Sequence, residues 1–147
     1  MRGKPFHNLM AERVKTTLAG FFDHVASEYP IRRDGTTTYL DLFAWCELYT
    51  LAVEVETTLR HAIDNARKAA AVGVPLWIVV PTRTLQNRLL ARLTSLGLKP
   101  GGQPICVLLL GQVEQALAHY LSRRIGKAIQ NKEITDPPSG PNCRRRP

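Results

Sequence analysis

Three carboxylates stand in two short runs of this chain. Asp41 lies in Tyr39-Leu40-Asp41-Leu42, and Glu54 and Glu56 lie in Val53-Glu54-Val55-Glu56-Thr57-Thr58. Both runs are rich in residues that suit a pleated strand. With a hairpin turn centred between Glu47 and Leu48, Leu40, Leu42 and Ala44 oppose Val55, Val53 and Leu51 on one face. Tyr39, Asp41 and Phe43 then oppose Glu56, Glu54 and Ala52 on the other. A slip of one residue would destroy this sorting, so the pattern itself specifies the register. Directly opposed side chains have Cβ atoms about 4.5–5.5 Å apart, and like charges so placed are destabilising. A hard divalent cation, Mg²⁺ or Mn²⁺, removes that conflict, because it prefers carboxylate oxygen. Such an ion can activate water and stabilise a phosphoryl transition state. Solvated carboxylates on an open face are the other reading of the same spacing; Tyr39, Phe43 and Trp45 on that face weigh against it.

The elements that must position these groups follow from periodicity and punctuation. Leu9, Val14, Leu18, Phe21, Phe22 and Val25 recur at helical intervals, which predicts a first helix over 7–28, stopped by Tyr29-Pro30. Asp34-Gly35 predicts a turn, followed by strands over Thr36–Trp45 and 50–58. A helix over Leu59–Val72 ends at Gly73. Leu76–Val80 is a continuous apolar run closed by Pro81, as in a strand buried on both faces. Thr82 caps a helix running to about residue 96, and a strand over 105–110 and a helix over 112–127 complete the series. The order α-β-β-α-β-α-β-α makes an α/β sandwich with a mixed central sheet. On the helix after Glu56, Leu59, Ile63, Ala66 and Ala70 share one side, and His61, Asn65 and Lys68 lie nearly opposite. With Arg60 and Arg67 they make a polar band, either a solvated face or an edge that meets phosphates.

Leu40-Asp41-Leu42, a short hairpin, then Val53-Glu54-Val55-Glu56 leading into a helix resembles the core of the PD-(D/E)xK nuclease superfamily, whose fold is restriction-endonuclease-like. The likeness covers about residues 7–110. It implies that Asp41 and Glu54 bind Mg²⁺ or Mn²⁺, with the Val55 carbonyl as a further ligand. Glu56 stands where the family carries a Lys, which leaves Lys68 as a replacement for that charge. The catalytic set implied is therefore Asp41, Glu54, Glu56 and Lys68, with Arg60, His61, Asn65 and Arg67 facing DNA. The activity implied is metal-dependent DNA hydrolysis, by a homodimer or by a subunit of a DNA-processing complex. The alternative is a catalytically inactive module of the same fold that binds DNA or docks onto a larger machine.

Composition agrees with a polyanionic partner. Over 147 residues, twenty Lys and Arg stand against twelve Asp and Glu, a net charge of +8. The chain stays at +5 without Arg144-Arg145-Arg146, so the positive charge is not confined to its end. Residues 1–132 are expected to form one domain, and 133–147, rich in Pro and Arg, a disordered basic tail. The apolar runs are too short for a membrane span and no secretory signal is evident, so a cytoplasmic location is expected. Cys46, Cys106 and Cys143 form no CxxC or Cys/His pair with metal-ligand spacing, and their number indicates no disulfide framework. Gly-rich phosphate loops, GxSxG and HExxH are absent from the sequence.

Overall fold

The computed structural model describes residues 3–98 and 105–132. Its elements are α1 (Gly3–Ala19), β1 (His24–Arg33), β2 (Thr36–Trp45), β3 (Thr50–Val55), α2 (Leu59–Val72), β4 (Leu76–Val80), α3 (Arg83–Ser95), β5 (Ile105–Leu109), one 3₁₀ turn (Leu110–Gln112) and α4 (Val113–Lys132). The expected tail, 133–147, lies outside the described residues.

β2 and β3 pair antiparallel in the register that side-chain sorting requires, with Leu42 opposite Val53, Phe43 opposite Ala52 and Ala44 opposite Leu51. β3, β4 and β5 then run parallel, linked by α2 and α3. The strand order is β1-β2-β3-β4-β5. β4 is buried along its whole length, which explains its unbroken Leu-Trp-Ile-Val-Val. Thr82 caps α3, its hydroxyl accepting from the Leu85 N–H at 3.2 Å.

The two sheet faces carry separate cores. Met10, Val14 and Leu18 of α1 and Leu117 and Leu121 of α4 pack on Leu42, Ala44, Leu51, Val53 and Val55. Ala62, Ile63 and Ala66 of α2 and Leu89 and Leu93 of α3 pack on Ala52, Leu76, Ile78 and Val80. This is the mixed-sheet sandwich expected.

Two expectations about the strands need correction. The first helix ends at Ala19, and His24–Arg33 is an additional strand, giving the order α-β-β-β-α-β-α-β-α. Gly20 breaks the helix, and the following segment gains a full antiparallel ladder with β2, from His24 opposite Trp45 to Arg33 opposite Thr36. Pro30 does not end an element there; it sits in an edge strand, where a missing N–H is tolerated. The second correction concerns Leu40, which packs with the α2–α3 core while Leu42 packs with the other. The change of face falls at Asp41, and the residue opposite it in β1, Glu28, has a left-handed φ of 48°.

The β1–β2 turn is a two-residue loop, Asp34 at φ 50° and Gly35 at φ 78°, the combination that matches strand twist. A Cβ at Gly35 would meet nothing within 4 Å, so backbone strain alone decides the effect of substitution. Gly35→Ala is expected to cost about 1 kcal/mol and lower the melting temperature by a few degrees. A differential scanning melt checks it.

No described helix is long and apolar enough to cross a membrane. Cys46, buried one residue past β2, is disulfide-bonded, contrary to the reading from cysteine spacing, and Cys106 is a free thiol.

Candidate metal centre

Asp41, Glu54 and Glu56 converge where β2 and β3 part. The paired ladder ends at Leu42 and Val53, and one step beyond it the Val55 N–H donates to Asp41 Oδ2 at 2.8 Å. A side chain thus takes the place of a backbone acceptor and fixes the Asp41 carboxylate against β3. His7 of α1 meets the same oxygen through Nε2 at 3.2 Å. Asp41 is part-exposed, with a quarter of its side chain open to solvent.

Glu54 and Glu56 are two residues apart on β3 and its exit, so they share a face. Glu54 lies beside Ile78 of β4 in the parallel register, and the Glu56 N–H donates to the Val79 carbonyl at 2.9 Å. Both carboxylates are buried, at 2% and 7% exposure. Asn65 of α2 donates through Nδ2 to both, to Glu54 Oε2 at 3.4 Å and to Glu56 Oε2 more closely.

One oxygen from each of the three carboxylates lies within 4.8 Å of the other two. At an effective dielectric near 20, each ionised pair at that separation repels by roughly 3 kcal/mol. Two of the three are also withdrawn from water, which raises the need for compensating charge. The donor set is all hard oxygen, without a soft ligand, and therefore fits Mg²⁺ or Mn²⁺.

Glu56 and Asn65 form part of the wall of an open cleft. Lys4 and His7 of α1 face it from one side, and Thr57, Thr58, His61 and Asp64 complete it. Of the residues singled out from the sequence, Asp41, Glu54 and Glu56 come together, and His61 lies in the same cleft. Val55 presents its N–H to Asp41 and buries its side chain in the α1–α4 core. Asn65, placed on a DNA-facing band by helical spacing, points to the carboxylates. Arg60 and Arg67 are exposed on α2 and are not among the cleft residues. The Lys68 side chain lies outside the described residues.

Sequence reasoning missed His7 and Lys4. His7 is 34 residues from Asp41, and their contact exists only because α1 packs across the sheet. The one sequence signal is that His7 precedes Met10 by one turn and Val14 by two on the first helix, with Lys4 one turn before His7.

No family profile matches the sequence, and no curated protein matches it. Among solved structures the chain is similar to the small subunit, R.BspD6I2, of the heterodimeric restriction endonuclease R.BspD6I. The two share 11% identity, with a TM-score of 0.47, over 85% of this chain and 75% of that one. From its own strand order and helix layers, the fold of this chain is restriction-endonuclease-like.

Proposed function

We propose that this chain is a metal-dependent DNA phosphodiesterase of the PD-(D/E)xK type. The observation that carries the reading is the convergence of Asp41, Glu54 and Glu56 within 4.8 Å at the edge of a cleft holding Lys4, His7 and His61. Asp41 and Glu54 would hold Mg²⁺ or Mn²⁺, with the Val55 carbonyl and Glu56 as further oxygen donors. When bound, the cation lowers the pKa of water and offsets charge that develops on a phosphate.

The chain's own groups do the rest. His7 and the Val55 N–H orient Asp41, and Asn65 holds Glu54 and Glu56 in place, so the acidic set is fixed before substrate arrives. Glu56, at the family's Lys position, accepts a hydrogen bond from the attacking water and aligns it with the phosphorus. Lys4 in the cleft, or Lys68 on α2, supplies the positive charge that the family's Lys provides. Arg60, His61 and Arg67 attract the DNA backbone as side chains of α2, the helix that leaves the site. Cutting two strands takes two such sites, in a homodimer or in a subunit of a larger DNA-processing assembly.

A second reading has one specific observation in its favour. Glu56 replaces the family's Lys, and a chain that has lost that charge can serve as a silent DNA-binding or docking module.

A panel of duplex, single-stranded, flap and junction DNA separates the two. Cleavage is expected with Mg²⁺ or Mn²⁺ and none in EDTA. Binding is expected to weaken tenfold or more between about 50 and 200 mM salt, because phosphate contacts release counterions. Salt-sensitive binding without cleavage supports the silent module, and no binding at low salt removes DNA as the partner.

A further inference from the structure

The face of the β1–β2 hairpin turned toward the α2–α3 side of the sheet carries a row of rings. Tyr29 stacks on Phe43 at 4.5 Å between centroids and 24° between planes. Phe43 stands 5.7 Å from Trp45, and Tyr29 stands 6.0 Å from it. His24 stacks on Trp45 at 5.1 Å and 17°. α2 and α3 pack on β3, β4 and β5, and the rings lie beside that layer with Tyr29, Phe43 and Trp45 only part-buried and His24 exposed.

We infer that this row is a stacking platform for unpaired DNA bases that feeds the carboxylate site. The inference rests on the proposed reading of DNA as substrate and deepens it, by naming single-stranded DNA as the form engaged.

Three features favour nucleobases over other occupants. Beside the part-buried Ile31, the row consists of flat rings, and every base offers a π face to stack on them. The chain's net charge of +8 complements a polyanion. The platform is also continuous with the site. Trp45 and Phe43 stand at alternate positions on the ring-bearing face of β2, and Asp41, where the strand changes face, follows two residues beyond Phe43, about 6.6 Å along the strand. A single strand lying along the rings runs toward the end of β2 at which Asp41 stands. In a duplex the same π faces are already stacked, so the rings have nothing to take up.

Intrinsic fluorescence tests this without requiring cleavage. The chain has two tryptophans, and Trp77 is 4% exposed, so quenching by a DNA ligand reports Trp45. The full chain is titrated in EDTA at low salt with a short oligothymidylate and with a duplex of equal length. The oligothymidylate is expected to quench the emission strongly and the duplex weakly. Phe43→Leu and Tyr29→Leu should each weaken single-strand affinity by about tenfold and leave duplex affinity unchanged. A melt and a far-UV spectrum confirm that the variants are folded, and the comparison of ligands on the parent protein stands even where a variant is not. Equal quenching by both ligands, or variants that melt normally and bind oligothymidylate as the parent does, overturns the platform. A parent that sediments as a dimer and a Phe43→Leu variant that sediments as a monomer would assign the face to a second copy of the chain and overturn it as well. Failure of the nuclease reading looks different: single-strand quenching would persist while no DNA form is cut with Mg²⁺ or Mn²⁺.

Discussion

Asp41→Asn is expected to lower metal-dependent DNA cleavage by about a thousandfold and to remove the protein's thermal response to Mg²⁺ or Mn²⁺. The substitution keeps the shape of the side chain and an oxygen that can still accept from the Val55 N–H. What it removes is one negative charge from three carboxylates within 4.8 Å of one another. A ligand that binds only the folded state at a hundred times its Kd stabilises by about 2.7 kcal/mol. For a chain of this size that corresponds to a rise of roughly 5–10 °C in the parent. In the variant the rise should vanish, while the melting temperature without metal holds or increases, because repulsion is relieved. Glu54→Gln should behave alike. A carboxylate with a purely structural role predicts the reverse pattern, a loss of stability that is the same with and without metal. Cleavage at the parent rate in either variant would remove the assignment of the site.

Ile78→Ala is expected to destabilise the chain by about 2–5 kcal/mol, read as a fall of roughly 5–20 °C in melting temperature. Ile78 is fully buried at the centre of β4 and packs in the α2–α3 core. It is also the residue beside Glu54 in the parallel register. Truncation leaves a void that the surrounding sheet cannot close, since both neighbouring strands are held by ladders. The remaining folded fraction should still gain stability from Mg²⁺, because the donors of the site are untouched. Loss of the metal response in a variant still folded at low temperature would mean that the position of Glu54 depends on this packing. Urea or thermal unfolding with and without metal measures both effects.

The parts of the fold that could be read from the sequence are those in which local chemistry and tertiary need agree. The β2–β3 register follows from one run of alternating apolar residues opposed to another, and only one alignment buries both. The units from α2 to β5 are bounded by Gly73, Pro81, Thr82 and Gly97, each with a backbone reason to stop or start an element. β1 escaped because Phe21, Phe22 and Val25 continue a helical interval by coincidence, and Pro30 resembles a helix stop. Pairing with β2 outweighs both signals, and pairing is not visible in a window of one element. The three carboxylates were legible for the same reason as the register. The hydrogen bonds of Asn65 to the carboxylates are not legible in the sequence, because a helical wheel gives angles around an axis and says nothing of where that axis crosses the sheet. α2 passes the exit of β3, so a residue on its flank meets Glu54 and Glu56.

β1 is one of two open edges of the sheet, and it carries a hairpin dense in aromatic and β-branched side chains. Such an edge invites strands from other molecules to add to it and start aggregates. Here Pro30 offers no N–H to an incoming strand, and the left-handed turn of the backbone at Glu28 interrupts the line of outward carbonyls and amides two residues earlier. A foreign strand can match only a few residues before it meets one break or the other. Pro30, which obscures β1 in the sequence, and Glu28 therefore guard the edge of the hairpin against strand addition while leaving its ring-bearing face open.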